Sequence, residues 1–306
     1  LLRKEYPQLP LSRIFSLLRQ KRVKVNGVRA DGATRVQEGD RIELFPPFEL
    51  IEQLKSAQKK VGMAPQEKGS NFSPKGFTLV AEEPGEWIVL NKKSGVAAHP
   101  GTAVAPGESL IEELWKFRPE FEKFKPALAH RLDKETSGLV IAALSAPALR
   151  QLTSSLRERR SLKRYLALVA GIPKRSSGTI ELKLTRIDSA SGGAKSIADE
   201  ESGVEAVTHW NLLESFSATE EWPATSLLSV ELGTGRMHQI RSHLAAIGHP
   251  LLGDDRYGNF ELNRLFRRKI GLKRVFLHAS ELQFPKLPKW EAPLPPELER
   301  VIAALR

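Results

Sequence analysis

Residues 130–143 read HRLDKETSGLVIAA. An ionisable cluster, His130, Arg131, Asp133, Lys134 and Glu135, ends at Ser137-Gly138 and runs directly into the apolar segment Leu139 to Ala143. A short apolar run bounded by glycine reads as a buried strand. Loops at strand ends are where a rigid scaffold presents reactive groups, and Asp133, with a guanidinium two residues before it, is the candidate carboxylate. A surface turn stitched by ion pairs has the same composition, so the segment alone leaves both readings open.

Outward from this segment, strand patterns occur at Trp87–Leu90, Leu139–Ala143, Tyr165–Val169, Thr179–Leu184, Ser226–Leu232 and Val275–Phe284. Helical patterns fall at about 109–117, 147–160, 236–247 and 296–305. The two kinds do not alternate regularly, which favours an α+β fold over a doubly wound sheet. In the third helical pattern Met237, Ile240, Leu244 and Ile247 form an apolar face, with Arg241 beside it near the helix start. Asp188 to Gly203, rich in Ser, Gly, Ala and Glu, is expected to be an exposed loop.

The chain of 306 residues is long enough for two domains, and its formal charge of +11 is uneven. Residues 1–76 hold 15 Lys/Arg against 8 Asp/Glu. Between Pro10 and Val25 the charges are Arg13, Arg19, Lys21, Arg22 and Lys24, with no acid among them. A one-sign stripe repels itself, and phosphate is the polyanion that would neutralise it. Leu11, Ile14, Phe15 and Leu18 recur at helical spacing, with Ser12 as a cap, before Val23-Lys24-Val25 meets the Asn26-Gly27 turn and Arg41 to Leu44 forms a further strand. This run resembles the S-four-like RNA-binding domain, a small α/β module, over about residues 9–45. The expected boundaries are 1–48 for this domain, 49–76 for a Lys-, Gln-, Ser- and Gly-rich linker, and 77–306 for the catalytic domain. There is no cysteine, no apolar run near the roughly 20 residues of a membrane span, and no signal-peptide pattern in Leu1 to Tyr6. A cytoplasmic location is the expectation.

Four segments in order carry a second resemblance. HRLDKETSGLVIAA is similar to the central motif of the RluA family of pseudouridine synthases. Asn91 to Gly101, NKKSGVAAHPG, is similar to the family's N-K-P-x-G-x-x-x-H-P-G loop, with Lys93 where proline is usual. Lys163 to Gly171 matches its K-x-Y-x-A-x-V-x-G strand, and Gly233 to Tyr257 its T-G-R-x-H-Q-I-R-x-H-L segment. The resemblance implies a mixed, largely antiparallel sheet around a central RNA-binding cleft. It also implies isomerisation of uridine to pseudouridine with no cofactor and no metal. By resemblance Asp133 is the essential aspartate, Tyr165 stacks on the target base and Arg241 pairs with the aspartate. Arg131 fills the space that the extruded base vacates or holds the rearranged backbone, and Ile240 packs beneath the flipped base or in the core. His130 is expected to be structural.

The text from Gly248 to Leu298 is most similar to members of the family that act on large-subunit ribosomal RNA, and a monomer is the default. The alternatives are transfer RNA as substrate, or a non-catalytic RNA-binding or ribosome-assembly protein, which would not require Asp133, Tyr165 and Arg241 together. A metal hydrolase is the remaining rival, because His238, His243 and His249 cluster; their spacing does not match the i, i+4 pair of a helical zinc site.

Overall fold

Val23-Lys24-Val25-Asn26-Gly27 folds as a tight hairpin in the computed structural model, which describes residues 17–19, 23–31, 34–35, 39–40, 42–44, 72–101, 104–121, 124–188 and 194–306. Asn26 (φ 50°) and Gly27 (φ 81°) both take positive φ, the conformation a two-residue hairpin turn demands. The turn joins β1 (Val23–Val25) to β2 (Val28–Arg29), and β3 (Ile42–Leu44) pairs with the other edge of β1, all antiparallel. Residues 17–19 are helical, with Leu17 buried and Arg19 exposed. Arg13, Lys21 and Arg22, the helix start at Leu11 to Phe15 and most of the expected linker lie outside the described residues. The chain divides into two compact units, Leu1–Ser70 and Asn71–Arg306.

The second unit opens with the antiparallel pair β4 (Phe77–Glu83) and β5 (Trp87–Lys92). Then come α1 (Leu110–Phe117), the short β6 (Ala127–Leu128), β7 (Ser137–Ala143) and α2 (Ala146–Arg157). The central strand β8 (Leu162–Ala170) is followed by β9 (Ser177–Glu181) and the two-stranded hairpin β10 (Leu184–Asp188) and β11 (Ala194–Ala198). Next are β12 (Val207–Phe216), β13 (Thr225–Leu232), α3 (Gln239–Ala246) and α4 (Phe260–Ile270). β14 (Leu277–Gln283), β15 (Lys289–Glu291) and α5 (Pro296–Leu305) complete the chain. The main sheet has the order β4-β5-β7-β14-β8-β13-β12-β9, with β6 paired to β7 and β15 to β14. Among the described residues only β7 and β14 run parallel; the sheet is mixed and largely antiparallel, as expected.

Every residue of β7 is buried, which is why its sequence is a continuous apolar run rather than an alternation. Val140 and Ala142 face one side, with Leu110 and Leu114 of α1 and Ile240 and Leu244 of α3. Leu139, Ile141 and Ala143 face the other, with Leu152 of α2, Phe284 and Trp290. A third cluster holds α4 and α5 through Phe266, Phe276, Leu298 and Val301.

Several expected elements are corrected by the structure. The strand expected over Thr179–Leu184 breaks after Glu181, where the chain leaves the main sheet to start the separate hairpin at Leu184. The loop expected over Asp188–Gly203 instead contains β11. Its Ser196 is buried because the hydroxyl donates to the Met237 carbonyl (2.6 Å) and the N–H to the Tyr257 hydroxyl (2.6 Å). The third helix begins only at Gln239, since His238 is left-handed (φ 51°) and a right-handed helix cannot include it. Met237 therefore precedes the helix, and Ile247, at its C-cap, is 38% exposed. Gln239 is buried in their place, its amide bonded to the Val207 carbonyl, Thr208, Thr234 and the Arg236 N–H. Helix α4 was not expected, although Asn259 caps its start and Gly271 (φ 71°) its end.

Gly138 is where the parallel pair closes. Its φ is +113°, and a Cβ there would lie 2.2 Å from the Ala279 carbonyl oxygen of β14. We expect Gly138→Ala to cost about 3 kcal/mol through overpacking and backbone strain. Thermal unfolding monitored by circular dichroism should show a melting temperature lower by on the order of 10 °C.

Candidate active site

The segment before β7 is held by its carbonyl groups. Lys92, at the end of β5 and fully buried, donates to the carbonyl oxygens of Lys93 (2.8 Å), Val96 (2.8 Å) and Lys134 (3.1 Å). Burial pushes its pKa down to about 7, with Glu135 and Asp133 opposing and Arg274 adding to the shift. Three carbonyls meeting three ammonium protons mark the cation as the state around which the loop is built. The Gly95 N–H also donates to the Lys134 carbonyl (2.9 Å). Ser94 (2.7 Å) and Arg274 (3.3 Å) hold the Glu135 carbonyl, and the Thr136 N–H closes a turn onto Asp133 (3.1 Å). With its neighbours fixed at both carbonyls, the Asp133 side chain is presented at one place.

Arg241 meets it from α3. The Arg241 guanidinium forks onto Asp254, Nε to Oδ2 at 2.7 Å and Nη2 to Oδ1 at 2.8 Å, and its Nη1 reaches Asp133 Oδ2 at 3.4 Å. Asp254 is itself buried and also accepts from the N–H groups of Arg256 (2.9 Å) and Tyr257 (3.0 Å). Burial disfavours the charge on both partners, but the hydrogen bonds and mutual attraction outweigh it, raising the pKa of Arg241 and lowering that of Asp254. His238 Nε2 lies 3.8 Å from the same Asp133 oxygen.

Asp133, Tyr165, Ile240, Arg241, His130 and Arg131 all line one cavity of about 520 Å³, so the site residues expected in the catalytic domain share one wall-bounded space. Tyr165 is 5% exposed on β8, and burial followed by the charge of Asp133 pushes its phenol pKa upward, so the phenol keeps its proton. Ile240 is buried in the core cluster and also lines the cavity. Arg131 is exposed at the opening. His130 is held neutral, its pKa pushed down to about 3 by burial and Lys163, and its Nε2 faces the Ile141 N–H at 3.4 Å.

Sequence reasoning missed Asp254, the partner that aims Arg241; one of two adjacent aspartates, it had no signal apart from its place after the motif. It also missed the further cations along the cavity, Arg157, Lys163, Arg186 and Arg236, which come from four separate segments. The three histidines are separated in role: His238 faces Asp133, His243 is buried, and His249 Nδ1 bonds the Ala170 carbonyl (2.9 Å).

A model of the family described as RNA pseudouridylate synthase matches residues 86–246, from the start of β5 to the end of α3. The chain belongs to this family. It is an RNA pseudouridine synthase, and the matched segments place it with the RluA type. Relatives extend over all of it. Ribosomal large subunit pseudouridine synthase C of Salmonella typhi is 33% identical over 316 aligned residues, covering 100% of this chain and 91% of the relative. The protein of the same name from Escherichia coli strain K12 is 32% identical with the same coverage. Among solved structures, human RNA pseudouridylate synthase domain containing 1 superposes with a TM-score of 0.57 at 27% identity, over 74% of this chain and 86% of that one. Among the described residues of this pseudouridine synthase, no helix is long and apolar enough to cross a membrane.

Asp254→Asn should leave Arg241 buried with half its fork unmatched, at a cost of about 3–5 kcal/mol. Because the folded pKa of Asp254 lies below its ordinary value of 3.8, its stabilisation is complete above that value and is lost as pH falls through the lower folded one. Urea unfolding between pH 2 and 6 should therefore show a steeper acid loss in the wild type than in Asp254→Asn.

Proposed function

We propose that this chain converts specific uridines of large-subunit ribosomal RNA to pseudouridine, with Asp133 as the carboxylate that meets the nucleotide's sugar. The observation that carries this reading is the Asp133 carboxylate, aimed by Arg241 at 3.4 Å into a cavity of about 520 Å³ that it shares with a buried tyrosine phenol. The choice of RNA is supported by the names of the two bacterial relatives, which cover nearly the whole of both chains.

The reaction breaks the bond between a uracil nitrogen and the anomeric carbon, turns the base and rejoins it through carbon 5. Asp133 serves either by attacking the anomeric carbon or by removing a sugar proton to give a glycal. Arg241, locked onto Asp254, keeps that carboxylate oriented. Tyr165 and Ile240 supply the flat, apolar surroundings against which a flipped uracil stacks, and the Tyr165 phenol stays protonated there. Arg131, exposed at the opening, supports the strand from which the base has left. Lys163, Arg186 and Arg236 add positive charge where the phosphates pass. The base leaves and returns within one site with no net redox change, so the chemistry calls for no cofactor.

The first unit serves as the S-four-like RNA-binding module. Its exposed Arg19, together with Lys24 on β1, belongs to the basic stripe that would follow the phosphate backbone. The protein acts as a cytoplasmic monomer in this reading.

Ribosomal RNA from a strain lacking the protein, treated with wild type or Asp133→Asn, tests the assignment. Carbodiimide-dependent reverse-transcription stops should appear at discrete large-subunit uridines with the wild type. With Asp133→Asn they should slow by on the order of 10²–10⁴-fold. Stops that appear as fast with Asp133→Asn as with the wild type would remove Asp133 from its role; stops in transfer RNA alone would change the substrate.

A further inference from the structure

His238 occupies a costly backbone conformation for which helix capping gives no reason. It precedes α3 at φ 51° and ψ 23°, and its side chain makes no capping hydrogen bond. Left-handed backbone at a residue other than glycine is held by its surroundings and clusters at functional sites. Here the conformation points the two ring nitrogens at two partners. Nδ1 lies 3.0 Å from the Tyr257 hydroxyl, and Nε2 lies 3.8 Å from Asp133 Oδ2.

Hydrogen accounting assigns the ring's proton. The Tyr257 oxygen accepts the Ser196 N–H of β11 at 2.6 Å. A phenol carries one proton to donate, and among the described residues the acceptor left for it is His238 Nδ1. A neutral ring that accepts at Nδ1 carries its hydrogen on Nε2. The ring is neutral because burial lowers its pKa; Asp133 opposes this, Arg241 and Arg256 reinforce it, and Asp254 opposes it. The Nε2–H then faces the Asp133 oxygen that Arg241 Nη1 also approaches, at 3.4 Å. At 3.8 Å the histidine contact is electrostatic rather than a hydrogen bond. Asp133 Oδ1 has no hydrogen-bond partner among the described residues, so the two oxygens of this carboxylate stand in different surroundings.

We propose that Tyr257, held by the backbone of the β10–β11 hairpin, locks His238 as the Nε2–H tautomer, and that His238 and Arg241 together anchor Asp133 Oδ2 so that Oδ1 meets the sugar. This rests on the reading of Asp133 as the reacting carboxylate. His238 and Tyr257 are positioning residues in this scheme. The hairpin, whose Ser196 also bonds the Met237 carbonyl next to His238, becomes part of the site. The same geometry serves nucleophilic attack and proton removal alike, since each needs one carboxylate oxygen held and the other bare.

Two measurements test it. Nitrogen-15 imidazole spectra of histidine-labelled protein at neutral pH should show His238 as the Nε2–H tautomer in the wild type and a mixture of tautomers in Tyr257→Phe. Single-turnover isomerisation of ribosomal RNA from the strain lacking the protein gives the second readout. A glutamine amide places a donor where Nε2–H stands, whereas asparagine reaches only the Nδ1 position but tolerates left-handed backbone far better. The proposal therefore expects His238→Gln to outpace His238→Asn, the reverse of a purely structural role. Tyr257→Phe and His238→Asn should each turn over about tenfold more slowly, the loss that goes with one hydrogen bond, with RNA affinity unchanged. An Nδ1–H ring in the wild type, or His238→Asn as fast as His238→Gln, overturns the proposal and leaves Asp133 in place. A wild type that isomerises no uridine overturns the reading of Asp133 itself, whatever tautomer the spectra report.

Discussion

The buried pair of Arg241 and Asp254 is the constraint on which the site depends. A carboxylate with no solvent exposure must be matched by hydrogen bonds, and Asp254 has four, two from one guanidinium and two from the backbone of the following turn. Buried ion pairs contribute little net stability, because desolvation offsets most of the attraction. What this one provides is direction. With Nε and Nη2 taken by Asp254, the remaining nitrogen of Arg241 has a single orientation, and Asp133 lies along it. Asp254 is in turn fixed to α4, where Asn263 donates to its carbonyl at 2.8 Å and accepts the Gly253 N–H at 2.8 Å.

The other half of the site is fixed by the sheet. β7 lies between β5 and β14, buried on both faces, so the loop that enters it has little freedom at its end. Lys92 from β5 and Arg274 just before β14 then reach the carbonyls of that loop from both sides. Gly138 lets β14 come close enough for this arrangement, since any side chain would strike the Ala279 backbone. Asp133 is therefore placed by main-chain hydrogen bonds, and its carboxylate is met separately by Arg241 of α3. In the proposed reaction, a division of this kind holds the carboxylate oriented before substrate arrives, which is what electrostatic preorganisation requires.

Much of this was legible in the linear chain. The apolar run after Ser137-Gly138 marked a buried strand, Asn26-Gly27 marked a hairpin, and the spacing from 296 to 305 marked a helix, because each signal is local. Asp133, Tyr165 and Arg241 stood out by resemblance, and the fold brings them to one cavity. Helix α4 had readable caps at Asn259 and Gly271, yet its charged surface, with Arg264, Arg267, Arg268 and Lys269, hid the short apolar stripe. The Ser- and Gly-rich segment around Ser196 read as loop because composition does not reveal which polar atoms will find partners.

The sequence by itself determined most of the element types, the motif segments and the family, since these reside in runs of neighbouring residues whose periodicity and identity are visible without folding. Only the tertiary structure decided that Asp254 aims Arg241, that His238 turns left-handed toward Asp133, and that Lys92 holds the Lys134 carbonyl. Those contacts join residues far apart in the chain, His238 and Asp133 among them. Their geometry follows from how strands and helices pack, a property of the whole chain that no local window contains.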